Sequence, residues 1–170
     1  IIMVTRRAMA LRFKETDVRP MGRTAAGVMA IRLRKDDEVA AMDIVIPGAD
    51  LFVITANGHG KRTPLSEYPI RSRYTMGVLT FDKRQLKELG PIADARVVED
   101  GNEIVVITDQ GITMKTKTDT ISRMSRITRG VRVMNLDEGQ KVAAFAYLQD
   151  RDDESDAIDD DGEAPEGGEE

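Results

Sequence analysis

Three stretches of this 170-residue chain repeat one another, and the repetition limits the possible folds more than any composition figure does. Each opens on an apolar run closed by threonine: IIMVT at Thr5, LFVIT at Thr55 and IVVIT at Thr108, at intervals of 50 and 53 residues. The units run over 1–46, 51–98 and 103–149, followed by a tail at 150–170. A repeat of this size signals a propeller or a related array, in which each unit buries its apolar faces against its neighbours.

Within a unit the pattern is that of strands. Ile1 to Val4, Leu51 to Ile54 and Ile104 to Ile107 are short β-branched runs, each followed by a polar turn and a second strand (MALRF, GKRTP, ITMKT). Gly58 and Gly111 close two of these turns, because glycine takes positive φ without steric cost; Ala8 stands at that place in the first unit, so its turn is expected to be strained or of another type. Third strands are expected at GVMAIRL, GVLTFD and GVRVMNL, and fourth strands at EVAAMDIV, IADARVV and KVAAFAYL. Four strands in about 50 residues make one propeller blade. The spacing of Arg123, Arg126, Arg129 and Arg132 also suits a helix face, but the Ser, Thr, Ile and Val around them favour extended chain. A short helical turn fits Lys83 to Leu89. Three blades do not close a ring, so the chain reads as part of a larger array that begins inside a strand pattern.

Chemistry is narrowed by what the chain lacks. With no cysteine there is no disulfide, thiolate metal site or thiol nucleophile. His59, the one histidine, reads as a turn residue and not a metal ligand, and Gly58-His59-Gly60-Lys61 lacks the spacing of a phosphate loop. Asp36-Asp37-Glu38 reads as a charged loop tip. No catalytic set, cofactor site or metal site is indicated. No apolar run reaches the roughly 18 residues of a membrane span, and a cytoplasmic location is expected.

Charge points to a polyanion. Residues 1–149 carry a net +6, while residues 150–170 carry −11 and too few apolar groups to fold. The cations recur in register. Arg12, Arg62 and Lys115 stand seven residues past the anchoring threonines, and Arg23, Arg73 and Arg126 stand four before Gly27, Gly77 and Gly130. Such spacing suggests a rim of positive charge holding double-stranded DNA by its phosphates, with Arg71, Arg123 and Arg129 as further candidates. The bland alternative for each is a solvated face. The acidic tail has two readings, a solubility segment or a tethered competitor for the basic rim.

ANGHGKRTPLSEY (Ala56 to Tyr68), RRAMALRFKE (Arg6 to Glu15), DDEVAAMDIV (Asp36 to Val45) and RGVRVMNLDEGQKV (Arg129 to Val142) resemble the C-terminal domain of the A subunit of bacterial DNA gyrase, over essentially residues 1–149. The resemblance implies an all-β, six-bladed β-pinwheel with strands exchanged between blades, of which this chain holds about three. It also implies DNA bent around a basic rim, an assembly with the rest of the gyrase A protein and with the gyrase B protein, and negative supercoiling driven by ATP and magnesium bound elsewhere. The family's Gln-Arg-Arg-Gly-Gly-type box is absent; Arg71-Ser72-Arg73-Tyr74-Thr75-Met76-Gly77 is a degenerate equivalent. None of Tyr68, Tyr74 or Tyr147 lies in the family's catalytic context, so no DNA cleavage is expected. The corresponding domain of topoisomerase IV and a propeller used for protein docking are the alternatives; the scarcity of aromatics, 4% of the chain, counts against the second.

Overall fold

A computed structural model describes residues 1–148; the expectations for the tail at 150–170 lie outside the described residues. The strands are β1 (Ile2–Thr5), β2 (Met9–Arg12), β3 (Val39–Asp43), β4 (Asp50–Thr55), β5 (His59–Pro64), β6 (Val78–Leu79), β7 (Ile92–Val98), β8 (Glu103–Thr108), β9 (Thr113–Lys117), β10 (Val131–Arg132) and β11 (Val142–Leu148). One helical turn, α1 (Leu86–Leu89), follows a 3-10 turn at Lys83–Gln85, where the sequence suggested it. The arginines from 123 to 132 form no helix; they lie in loop and in β10.

The sheets show how the units interlock. Their strand orders are β3-β1-β2-β6, β10-β5-β4-β7 and β11-β8-β9, with antiparallel pairing throughout. β6 comes from the second unit but pairs with β2 of the first, and β10 comes from the third but pairs with β5 of the second. These exchanged strands are two residues long, much shorter than GVLTFD and GVRVMNL suggested, and GVMAIRL forms no strand, only a single bridge at Ile31. A segment that crosses to its neighbour is held only where the two backbones run alongside, and the rest turns away as loop.

The anchoring threonines lock the hairpins. Thr5, Thr55 and Thr108 are buried, and each Oγ1 accepts from the backbone N–H four residues on, at Met9, His59 and Ile112 (3.1, 3.3 and 3.1 Å). The turn type is the same in all three units: Ala8, Gly58 and Gly111 each donate N–H to the threonine carbonyl at 3.0 Å, with φ of 62°, 78° and 80°. Ala8 is therefore the strained version of the glycine turn, one of the two outcomes expected for it. Asp37 is no exposed loop tip but a buried brace: its carboxylate accepts from Thr5 Oγ1 (2.8 Å) and from Arg7 N–H (3.0 Å).

Cores form between sheets. Ile2 and Val4 pack with Leu51 and Val53 across the first junction, and Phe52 and Ile54 with Ile104 and Val106 across the second. β4 is buried on both faces, whereas β8 alternates buried and half-buried residues because one of its faces is uncovered. Phe52 and Phe145 meet edge to face, 4.8 Å between ring centres.

Strand exchange requires glycine at the crossing. Gly77 has φ 70°, and a Cβ there would fall on the Ala10 carbonyl; at Gly130, φ 75°, it would lie 2.7 Å from the Gly60 oxygen. Gly77→Ala is therefore expected to lower unfolding stability by roughly 2–3 kcal/mol through backbone strain and forced separation of the strands. Urea titration measures it; a loss no larger than that of an exposed surface substitution would contradict the crossing geometry.

Candidate nucleic-acid interface

The in-register cations do not form the rim that their spacing suggested. Arg12 Nη1 donates to the carbonyls of Leu65 (2.9 Å) and Tyr68 (3.4 Å) in the second unit. Arg62 Nε donates to the Ile121 carbonyl (3.0 Å) in the third, a position equivalent to Tyr68. Arg62 is only 7% exposed and is paired with Asp50 (3.6 Å) and Asp100. The second set points the other way: Arg73 Nη1 donates to the Met29 carbonyl (2.6 Å) and Arg126 Nη1 to the equivalent Leu79 carbonyl (3.0 Å), each in the preceding unit. All four are clamps across unit junctions; for Arg62, which is buried, this corrects the expectation that it faces DNA, while Arg12, Arg73 and Arg126 are half-buried. The physical reason is the open carbonyls that exchanged loops present at every junction; a guanidinium satisfies several at once. Lys115 and Arg23, at the two ends of the array, are exposed; Lys115 pairs with Glu103.

Lys61 is a further clamp that the sequence reading did not single out. It is 0% exposed, donates to the Ser125 (2.6 Å) and Arg126 carbonyls and to Thr128 Oγ1 (2.9 Å), and lies 4.8 Å from the Phe81 ring centre. Burial pulls its pKa down to about 8. Because the unfolded chain keeps this proton up to the ordinary lysine range, stability should rise with pH from about 8 toward 10.5. Tyr68, pushed up to about 12 by burial, opposes this only above about pH 10. Melting curves of the wild type and Lys61→Met at pH 7.5 to 10 test the sign: the wild type should gain on the variant as pH rises, and a constant difference would contradict it.

The candidate arginines beside the clamps are on the surface. Arg71 flanks Arg73, and Arg123 and Arg129 flank Arg126; all three flanking residues are exposed. The clamps and the backbone bonds Arg71 N–H to Arg12 carbonyl (2.9 Å) and Met124 N–H to Arg62 carbonyl (2.7 Å) fix these loops to the sheets. Arg123 pairs with Asp50 (2.8 Å) and Arg129 with Glu88 (2.5 Å). The Arg129–Glu88 pair is exposed on both sides and worth about 0–1 kcal/mol, so Arg129 can exchange its carboxylate for a phosphate at little cost, whereas Asp50 is buried and Arg123 helps to neutralise it.

A second cationic group was not assembled from the sequence. Arg6 and Arg7 of the first hairpin turn meet Lys83 and Lys87 of the α1 segment around a cleft of about 350 Å³. Glu88, on α1, links this cleft to Arg129. The signal was present as two basic turns, but about 80 residues separate them and only the folding of unit against unit brings them together. His59 is half-buried at the start of β5, opposite Arg132, and desolvation lowers its pKa. Among the described residues no cluster of three or more His, Cys, Asp or Glu is placed to hold a metal ion. No helix there is long and apolar enough to cross a membrane.

Antiparallel sheets joined by exchanged strands, with arginines displayed on the junction loops, define a propeller-like module of the β-pinwheel class. The model of the DNA gyrase C-terminal domain, a β-propeller, matches residues 1–46, 49–88 and 102–148, and the chain belongs to this family. The DNA gyrase A protein of Kosmotoga olearia is 42% identical over 153 residues, which is 89% of this chain and 19% of that protein. The chain thus spans about a fifth of the length of the curated relatives it matches. A solved gyrase A C-terminal domain superposes with a TM-score of 0.81 at 24% identity, covering 87% of this chain and 50% of the other. The C-terminal domain of a topoisomerase IV gives 0.81 at 25% identity, covering 87% and 46%. The family places the chain in a non-catalytic domain of the gyrase A protein.

Proposed function

We propose that this chain binds double-stranded DNA without regard to sequence and holds it bent, serving the wrapping step of a gyrase that supercoils DNA with the gyrase B protein and ATP. The observation that carries the reading is the set of exposed arginines, Arg71, Arg123 and Arg129, on loops pinned at successive junctions, with the Arg6, Arg7, Lys83 and Lys87 cleft beyond Arg129. Pinned loops hold their guanidinium groups at fixed separations, so little order is lost when phosphates bind. Arg23 and Lys115, counterparts of clamps, are left out of the contact set. Phosphate contacts position a duplex but read no bases, so preference among sequences would come from bending cost, roughly 1–6 kcal/mol for 20–30 bp bent by 40–90°. The relatives named as gyrase A proteins support this role, and a cytoplasmic site of action goes with it.

The test is binding to duplexes of equal length and unrelated sequence across a salt series. Affinities should agree between sequences within the spread that bendability allows and fall linearly on a log–log plot with salt. Salt-insensitive binding, or binding to one sequence alone, would contradict the reading.

A further inference from the structure

The loops at the two unit junctions carry apolar tips. Tyr74 and Ile127 each stand three residues before an exchange glycine, Gly77 and Gly130, and directly after a clamp, Arg73 and Arg126. They are 48% and 56% exposed, and Tyr74 is the one exposed aromatic among the described residues. Thr24 takes this place in the first unit. Single apolar side chains scattered over a surface are ordinary, but these two share one repeat position, in loops otherwise rich in arginine.

Both tips are held by the same bonds. Thr75 Oγ1 donates to the Ser72 carbonyl (3.3 Å) and Thr128 Oγ1 to the equivalent Ser125 carbonyl (3.0 Å). The Thr75 and Thr128 carbonyls accept from the preceding unit, from Arg32 N–H (3.0 Å) and Asp82 N–H (3.4 Å). Tyr74 N–H donates to the Ala30 carbonyl (2.7 Å), and its φ of 58° places an aromatic residue in the left-handed region that bulky side chains avoid. Such strain persists where surrounding bonds over-determine it, and here it fixes an exposed ring. Arg71 and Arg129, both exposed, stand in the same two loops.

We propose that Tyr74 and Ile127 are wedges, each entering a base step of the duplex whose phosphates the neighbouring arginines hold, so that the duplex is kinked at successive junctions. The inference rests on the DNA-binding reading above and adds how the bend is made. Apolar side chains inserted between base pairs unstack a step and kink the duplex, and an aromatic ring stacks on any base without reading its edge. Arginines alone hold phosphates at any step. The wedges make the contact cheapest at pyrimidine–purine steps, which unstack easily. Tyr74 and Ile127 thereby determine which steps sit at the junctions, with no hydrogen bond to a base.

The full chain has no tryptophan, so the single variants Tyr74→Trp and Ile127→Trp place a reporter at each tip. Saturating duplex should quench both by stacking. In the double variant Tyr74→Asn with Ile127→Ser, asparagine suits the left-handed backbone, so the melt should be kept. The arginines remain, so the salt slope should equal that of the wild type. The distance between the labelled ends of a bound duplex, read by energy transfer, should lengthen. Preference for a duplex rich in TA steps over an A-tract of equal length should fall from about tenfold to about twofold. An unquenched tryptophan at either tip, or a double variant that bends and selects DNA as the wild type does, would overturn the wedges and leave the phosphate contacts standing. A salt slope that falls in the double variant would overturn them too, since the two residues would then act by placing the arginines. A wild type that binds no duplex would overturn the DNA-binding reading itself, and the wedges with it.

Discussion

Replacing Arg62 by alanine lowers unfolding stability by roughly 3–5 kcal/mol, the loss expected when one partner of a buried ion pair is removed. Asp50 is nearly inaccessible, and without Arg62 the exposed Arg123 is the one cation left paired with it among the described residues. The Ile121 carbonyl loses its guanidinium donor at the same time, and the junction between the second and third units loosens. The counterpart change Lys115→Ala removes only an exposed pair and should stay within about 0.5 kcal/mol. Chemical denaturation of the two variants side by side decides the matter, because both change the same repeat position. Equal and small losses would mean that Arg62 is not a clamp.

Removing Arg71, Arg123 and Arg129 together should weaken DNA binding by on the order of 10²-fold at low salt and reduce the magnitude of the log–log salt slope by about 2.7, at about 0.9 per phosphate contact. The loss should be alike for all duplex sequences, since phosphate contacts carry no base information. Arg123 also neutralises Asp50, so its removal affects folding. The double variant at Arg71 and Arg129 separates the two effects, with a slope change of about 1.8 and an unchanged melt. Binding that weakens while the slope stays fixed would place these arginines outside the phosphate contacts.

The first, second and fourth strands of each unit and the hairpin turns were legible because period-two patterning and turn residues act locally, but the third strands were not, since GVMAIRL forms none and GVLTFD and GVRVMNL keep two residues each. The anchoring threonine was visible as a repeat, although its hydrogen bond to the N–H four residues on was not. Strand exchange came only from the resemblance. Nothing in GVLTFD itself says that Val78 and Leu79 pair with the first unit and not their own. Arg12, Arg62, Arg73 and Arg126 misled for a general reason. Recurrence in register shows that a role repeats once per unit, and a junction repeats once per unit just as an outer surface does. The clue in favour of the junction was Asp50, an acid at the head of an otherwise apolar strand, which needs a cation once buried. Conversely, Arg71, Arg123 and Arg129 stand out because they are not all matched in every unit, as residues freed from the shared structural task can be.

Arginine-selective dicarbonyl modification, read residue by residue by mass spectrometry with and without saturating duplex DNA, tests the central division between clamps and contacts most directly. Arg71, Arg123 and Arg129 should react in the free chain and be protected by DNA, while Arg62 should stay unreactive in both states. Protection of none of the three, or ready modification of Arg62 in the folded chain, would contradict the account.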